Sequence, residues 1–273
     1  MKILVCIKQV PEADKVAVNP ETGTLIRDGV ASILNPFCEY ALDQAVTLKR
    51  NYPDLDISID VITMGPPQAK SALMRCLELG ADCAFLLSDR KFAGADCWAT
   101  AITLKEGIKH ISKETGTNYD IILTGLHAID GDTAQVPAEL AEQLGIPQIT
   151  YAMDVKIEKK KIHVKKETED GTMVLEARLP VLVSMSKGSN IRRVPNMQNI
   201  LDARKKPYII ISSDKFTVPE EELGLKGSPT QVCKIFAPPA RSAGKKVVAT
   251  EDPQKGVKEI FEFLKTKKCI GCE

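Results

Sequence analysis

The chain has 273 residues, 44% of them apolar, with 37 basic against 36 acidic side chains. That length fits one large domain or two small ones with a sizeable core, and a net charge of +1 gives no reason to expect non-specific nucleic-acid binding. No uninterrupted apolar run is long enough to span a membrane, the start MKILVCIKQV is unlike a signal peptide, and the eight cysteines stand at irregular spacings that suit reduced thiols, so the reading is a cytoplasmic protein.

The first half alternates strand and helix. Lys2–Val10 predicts a strand, and Cys38–Asn51 a helix whose Tyr40, Ala41, Ala45 and Leu48 recur at helical spacing. Asn19–Asp28, with Thr22-Gly23, reads as a small hairpin excursion between them. Ile57–Thr63 and Cys83–Leu87 are further strands; Gln68–Leu79, closed by Gly80, and Asp96–Thr115 are further helices. Tyr119–Thr124 is a fourth strand, followed by a helix running through Leu144. Repeated βα units with continuous apolar strands predict an α/β fold, a parallel sheet with helices on both faces. Ligands bind such sheets at the carboxyl ends of the strands.

From Met153 the rhythm changes. Val155-x-Ile157 and Ile162-x-Val164 alternate around a lysine turn, and Asp170-Gly171 turns into Met173–Leu179, giving an antiparallel extension over about 153–179. Val181–Met185 is a buried-type strand, Asp202–Lys206 ends a short helix, and Tyr208–Ile211 is another strand. The α/β domain is expected to occupy residues 1–212. Beyond Ser212, prolines at 219, 229, 238, 239 and 253 recur, and 213–273 reads as an extended arm. Only Pro253–Thr266 shows helix periodicity, with Val257, Ile260, Phe261 and Leu264 on one face, a pattern that lies on another surface.

The most informative stretch runs from Tyr119 to Gln148. The apolar Ile121-Ile122-Leu123 leads through a polar loop, Thr124–Thr133, into a helix with Ala138, Ala141 and Leu144 on one face, stopped by Gly145 and Pro147. Pro137 fits only in the first turn, so the helix starts a few residues before it. A strand feeding a helix this way leaves free backbone N–H groups at the helix start, where an anion, most often a phosphate, is favoured. A βα unit without a ligand has the same pattern, and neither a Walker lysine motif nor G-x-G-x-x-G is present.

No catalytic constellation and no metal-ligand spacing stands out. His110 sits on an amphipathic helix and His163 in a charged hairpin; His127 differs only in lying in the loop. Asp130 and Asp132 are close enough to act as an acid/base pair, or to hold the loop, a ribose or a cation. Cys6, Cys76, Cys83 and Cys97 lie in apolar-rich segments and read as small core residues. Cys269-x-x-Cys272 lacks two further ligands for a structural zinc and does not open a helix as redox pairs do. A flexible tail and a cluster shared with another subunit both remain open.

The loop resembles the nucleotide-binding stretch of the electron-transfer flavoprotein beta subunit. It carries Ala128-Ile129-Asp130-Gly131-Asp132, then Gln135, then Pro147-Gln148. KILVCIKQVPEAD at the start, Asn35–Ala45 (NPFCEYALDQA) and Glu176–Pro207 resemble further segments of that family. The resemblance implies a Rossmann-like (adenine-nucleotide hydrolase-like) fold and a heterodimer whose alpha subunit carries a flavin and is wrapped by the arm. It implies nucleotide contacts from Cys6, from Asn35, Pro36, Phe37 and Cys38, from Met64, and from His127, Ala128, Ile129, Asp130, Gly131, Asp132, Thr133, Ala134, Gln135, Val136, Pro137 and Ala138. Phe37 and Ala13 match positions near the flavin of the alpha subunit, although the family often has an aromatic residue where Ala13 stands. Residues 188–199 resemble the recognition loop that docks a dehydrogenase, with Met197 as its apolar anchor; a core methionine at a helix start is the competing reading.

Two kinds of beta subunit are known in this family. One holds AMP as a structural ligand and has D-D-D-x-N-Q-T-G-Q in the loop. The other holds a second FAD, takes a hydride from NADH and splits the electron pair. Here the loop reads Asp130-Gly131-Asp132-Thr133-Ala134-Gln135-Val136-Pro137-Ala138, with glycine, alanine and valine in place of bulkier polar side chains. That resembles the bifurcating group, apart from Pro137-Ala138 where the group usually has Gly-Pro. The expectation is FAD, with AMP as alternative, NADH as donor, and ferredoxin or flavodoxin as low-potential acceptor. The partner would be an acyl-CoA, enoyl-CoA or lactate type dehydrogenase. A nucleotide-sensing regulatory domain would explain the sheet and loop, but not residues 188–199 or the arm.

Overall fold

The computed structural model describes residues 1–12, 17–18, 25–26, 31–188, 193–233, 244, 246, 248, 250 and 252–270. Ala13, most of the excursion at 19–28, residues 189–192 and Cys272 lie outside them. The strands are β1 (Lys2–Cys6), β2 (Gln9–Pro11), β3 (Ala17–Val18), β4 (Leu25–Ile26), β5 (Ser32–Leu34), β6 (Ser58–Met64), β7 (Cys83–Leu87), β8 (Ile121–Gly125), β9 (Gln148–Glu158), β10 (Lys161–Thr168), β11 (Gly171–Arg178), β12 (Val181–Met185) and β13 (Tyr208–Ile211). The helices are α1 (Pro36–Asn51), α2 (Lys70–Leu79), α3 (Cys97–Thr115), α4 (Val136–Leu144), α5 (Met197–Ala203) and α6 (Pro253–Thr266).

The main sheet has the order β11-β10-β9-β12-β8-β1-β6-β7-β13. From β9 to β13 every neighbouring pair is parallel, while β9, β10 and β11 pair antiparallel. On one face Ile3, Val5, Val61, Leu123 and Val183 meet Ala41, Leu42 and Ala45 of α1 and Leu73 and Leu77 of α2. On the other, Leu4, Ile62, Ile122 and Leu182 meet Ile102 and Ile108 of α3 and Leu140 and Ala141 of α4. Both faces of the central strands are therefore dry, which is why they read as unbroken apolar runs.

Several boundaries differ from the sequence reading. The first strand stops at Cys6 rather than Val10, because the chain turns at Ile7-Lys8 and Gln9–Pro11 pairs with β5 instead. α1 begins two residues early, with Pro36 in its first turn, where its missing N–H costs nothing. The first turn expected of α2 is a 3-10 turn, Pro67–Ala69. β9 starts at Gln148, because Gln148–Ala152 pairs parallel with β12 before the strand enters the antiparallel extension. Tyr151 has φ 58° within it, and that irregularity hides the alternation from periodicity.

Two compact units are present, Met1–Ile235 and Phe236–Glu273. The first runs on past β13 as a strap over residues 213–230, fastened by three carboxylates. Asp89 Oδ2 accepts from Ser213 N (3.1 Å) and Oγ (2.6 Å), Glu106 Oε2 from Thr217 N (3.0 Å) and Oγ1 (2.7 Å), and Asp96 Oδ2 from Thr230 N (2.9 Å) and Oγ1 (2.8 Å). Phe216 stacks on Phe92 at 5.4 Å between ring centroids. In the second unit, the side chain of Asp252 caps α6 through Lys255 N, and Val257, Ile260 and Phe261 are exposed. No helix of the described residues is long and apolar enough to cross a membrane.

Candidate nucleotide site

The order of strands places a topological switch point between β1 and β8. From β1 the chain crosses through α1 to β6 and β7 on one side, and β8 then returns to the other side of β1. In open α/β sheets this is where a crevice forms at the carboxyl ends of the strands. Cys6 ends β1 and Gly125 ends β8. Met64 reaches the same edge at the end of β6, two residues beyond Ile62, the partner of Cys6.

Asn35 organises this edge. It is only 1% exposed. Its Nδ2 donates to His127 O at 2.8 Å, and its Oδ1 accepts from Ile129 N at 3.2 Å, so one side chain staples the loop after β8 to the start of α1. The ring of Phe37 lies 4.2 Å from that of His127. Gly125 makes the approach possible: a Cβ there would stand 2.8 Å from Phe37 C and 2.9 Å from Cys38 N. Cys38 is buried, and burial pushes its thiol up, offset in part by the Asn35 side chain. Burial likewise pushes the Cys6 thiol far up, so both act as neutral small groups.

The loop itself turns where Asp132 N donates to Ala128 O at 2.8 Å. Asp132 and Ala134 are left-handed, with φ of 52° and 54°, while Gln135 (φ −91°, ψ −39°) is right-handed and stands just before α4. Left- and right-handed residues in succession turn consecutive N–H groups toward one concavity, an anion-binding nest. α4 begins at Val136, one residue before Pro137, so Val136 and Ala138 supply the first-turn N–H groups and Pro137 supplies none. The loop's own acids have close neighbours: Lys8 Nζ contacts Asp130 Oδ1 at 2.8 Å, and His127 Nδ1 lies 2.7 Å from the exposed Asp132 Oδ1. Thr133 Oγ1 is tied to Cys97 Sγ, at the start of α3, at 3.2 Å.

This edge suits a polar ligand carrying phosphate. A Cβ at Gly131 would meet nothing within 4 Å. Thr124 Oγ1 and Ser184 Oγ, paired in register with Cys6 across β8 and β12, are buried without a protein hydrogen-bond partner. Glu139, in the first turn of α4, has a carboxyl raised by burial and then by Asp96. Two hollows, of about 380 and 420 Å³, are not lined by the loop 127–138, and the first of them borders Pro36. Among the described residues no group of three or more His, Cys, Asp or Glu is gathered to hold a metal ion.

The structure thus gathers Asn35, Phe37, Cys38 and the loop from His127 to Ala138, with Cys6 and Met64 along the strand ends. Met197 is not part of this group. It opens α5, which packs on α2, and is 71% exposed, so the reading as a core methionine does not hold. Cys83 and Cys97 are only half-buried: Cys83 packs at the margin of the core, and Cys97 meets the loop instead. Sequence reading missed Lys8, Cys97 and Gly125; each acts across more than thirty residues of chain.

Asn35→Ala would leave His127 O and Ile129 N without their partner. Hydrogen bonds of this kind contribute about 0.5–1.5 kcal/mol each, so losing two is expected to weaken nucleotide retention by about tenfold or more. Equilibrium dialysis with labelled adenine nucleotide measures it, and unchanged affinity would refute the staple.

These features define a doubly wound α/β protein with a candidate ligand edge at its switch point. Comparison with known proteins takes the identification further. The electron transfer flavoprotein domain matches residues 22–215. The caffeyl-CoA reductase-Etf complex subunit CarD of Acetobacterium woodii is 46% identical over 250 residues, 92% of this chain and 93% of that one. The electron transfer flavoprotein subunit beta of Megasphaera elsdenii is 43% identical over 272 residues, 99% and 100% of the two chains, and protein FixA of Azotobacter vinelandii 40% over 258 residues, 92% and 89%. The chain belongs to the electron transfer flavoprotein family, as a beta subunit with a role in electron transfer.

Proposed function

We propose that this beta subunit holds FAD at the β1/β8 switch point, takes electrons from NADH, and bifurcates them. One electron would go to a low-potential acceptor, ferredoxin or flavodoxin, and one through the FAD of the alpha subunit to a dehydrogenase. The observation that supports FAD over AMP is the loop 130–138. Gly131 has open space at its Cβ position, and Ala134 takes a left-handed backbone and has a methyl side chain that can make no hydrogen bond. A loop of small side chains leaves room for a longer ligand and relies on backbone N–H groups rather than side-chain donors. Bound FAD would supply the redox chemistry. The chain's own part is to hold it: N–H groups of Thr133–Val136 and Ala138 toward the phosphates, Cys6 and Met64 along the strand ends, and Asn35–Cys38 over the loop.

The remaining assignments follow the same reading. Residues 1–212 form the nucleotide-binding domain, onto which the strap at 213–230 is fastened, so the arm expected from 213 starts only beyond the strap, and its α6, with exposed Val257, Ile260 and Phe261, packs on the alpha subunit. Met197 docks the dehydrogenase. The CarD relative is named for a caffeyl-CoA reductase complex, which favours an enoyl-CoA or acyl-CoA type partner over a lactate type. The complex works in the cytoplasm of an anaerobic metabolism.

Cofactor stoichiometry tests this. The chain is co-expressed with its alpha subunit, the ligands are released by denaturation, and FAD and AMP are counted per heterodimer. The expected result is two FAD and no AMP, with bleaching by NADH. One FAD and one AMP would reduce the chain to a scaffold and docking subunit.

A further inference from the structure

Among the described residues, the segment leading into α5 is tied to α1 through Arg193. Arg193 reaches α1, where its Nε forms an ion pair with Asp43 Oδ1 and its Nη2 donates to Thr47 Oγ1 at 2.9 Å. Asp43 and Thr47 are one helical turn apart on α1, so a single guanidinium spans both. The Asp43 side chain is only 9% exposed. A carboxylate buried this far needs a cation close by, and burial indeed pushes its carboxyl up while Arg193 pulls it down. Arg193 and Asp43 also line the 380 Å³ hollow beside α1, together with Leu42, Val46 and Leu79.

The link from Arg193 to α5 is short and stiff. Met197 stands four residues on, at most about 14 Å away. Pro195 restricts the residue before it, and the side chain of Asn196 caps α5 through Asn199 N at 2.8 Å. Between these two ties Val194 is 83% exposed, and Met197 and Leu201 continue the apolar surface. The helix that receives Arg193 is the one that opens at Pro36-Phe37-Cys38, beside the loop at His127. A straight helix is a rigid spacer. The segment before the exposed methionine is therefore tied to α1, the element that also borders the nucleotide edge, while α5 itself packs on α2.

We infer that Arg193 is a positioning residue for electron delivery, its clasp on Asp43 and Thr47 fixing the docking segment to α1 so that the dehydrogenase meets a preset apolar patch. This rests on the docking role proposed for Met197. Arg193 touches neither cofactor nor reacting atoms. Its effect is to remove, before docking, the freedom of the segment that Met197 belongs to, which lowers the entropy lost on association.

The test uses the complete heterodimer and an acyl-CoA dehydrogenase as the probe partner. Electron delivery is measured against dehydrogenase concentration, together with nucleotide content and amide exchange over residues 194–199. Arg193→Gln is expected to raise the half-saturating dehydrogenase concentration about tenfold and to speed exchange at 194–199 by at least about tenfold. Maximal rate and nucleotide content stay unchanged. Arg193→Lys restores the pairing with Asp43 but not the fork, and recovers part of the loss. Thr47→Val, which removes one hydrogen bond and leaves the buried pair, gives about a threefold rise. If Met197→Ala raises the half-saturating concentration while Arg193→Gln and Thr47→Val do not, the clasp has no positioning role and the docking reading survives. If Met197→Ala changes nothing, the docking reading falls and this inference with it. Loss of nucleotide in Arg193→Gln and Thr47→Val alike would assign the clasp to the general fold and overturn the inference.

Discussion

Replacing Gly125 with valine is expected to abolish nucleotide retention and to lower Tm by several degrees. Gly125 closes β8 where the sheet meets the start of α1, and a Cβ there would come within 2.9 Å of backbone atoms of both Phe37 and Cys38. Backbone cannot yield as the end of a long side chain can, so relief requires α1 to move away from the sheet. α1 is anchored through Ala41, Leu42, Ala45 and Leu48, all at most 1% exposed. Overpacking of this kind costs about 1–3 kcal/mol, which for a chain of this size corresponds to a fall in Tm of about 2–4 °C per kcal/mol. The functional loss exceeds the thermal one, because moving the start of α1 also takes Asn35 from His127 O and Ile129 N. Gly131→Ala is the control, since its Cβ would meet nothing within 4 Å. Differential scanning calorimetry and nucleotide release on both variants decide the matter. A Gly125→Val protein that kept its nucleotide would show that α1 and β8 can separate without cost to the site.

The layered fold was legible because the central strands are buried on both faces. Cys83–Leu87 and Val181–Met185 have the bounds the apolar runs predict, and Asp96 and Gly116 bracket α3 as a cap and a stop. What periodicity could not locate are places where partner choice, not local pattern, ends an element. Ile7 and Val10 continue the apolar run of β1, yet Val10 pairs with Ile33 of β5. Ile149 and Ala152 are buried like strand residues, but the left-handed Tyr151 between them shifts their phase. At the site, the loop was legible as strand, polar turn and helix. Its supports were not, because they come from afar: Lys8 to Asp130 spans 122 residues and Asn35 to Ile129 spans 94. A lone lysine after a strand or a lone asparagine before a proline carries no local signal of such a partner. The strap was hidden for the same reason. Its serines and threonines look like ordinary loop residues until Asp89, Asp96 and Glu106 are placed opposite them.

Those three clasps predict that the strap loosens in acid before the sheet does. The carboxyl of Asp89 is held below its ordinary value of 3.8, first by the Ser213 hydroxyl and then by the N–H of Lys91. Burial pushes Asp96 and Glu106 up, but the N–H of Ala99 and the hydroxyl and N–H of Thr230 more than offset this for Asp96. The hydroxyl and N–H of Thr217, with Lys105 and Lys109, do so for Glu106. All three folded values therefore lie below the unfolded ones of 3.8 for aspartate and 4.5 for glutamate. Their stabilisation is fully present above the unfolded values and is lost as pH falls through them toward the folded ones. Hydrogen bonds to a charged group contribute about 1.5–3 kcal/mol each in dry surroundings and less where water competes. Glu106, its side chain 3% exposed, should therefore be the strongest of the three. Amide exchange of residues 213–230 at constant temperature is expected to accelerate as pH falls through the carboxylate range, after correction for the intrinsic rate, while β1 and β8 stay protected. Thr217→Val removes one donor to Glu106 and should move the onset to higher pH. The central strands depend less on such groups, because Ile3, Val5, Ile121 and Leu123 are held by apolar burial and by ladder hydrogen bonds, neither of which titrates. Protection of the strap that persisted unchanged well below the ordinary carboxylate values, or vanished already above about pH 6, where aspartate and glutamate do not titrate, would rule out the clasps as what holds it down.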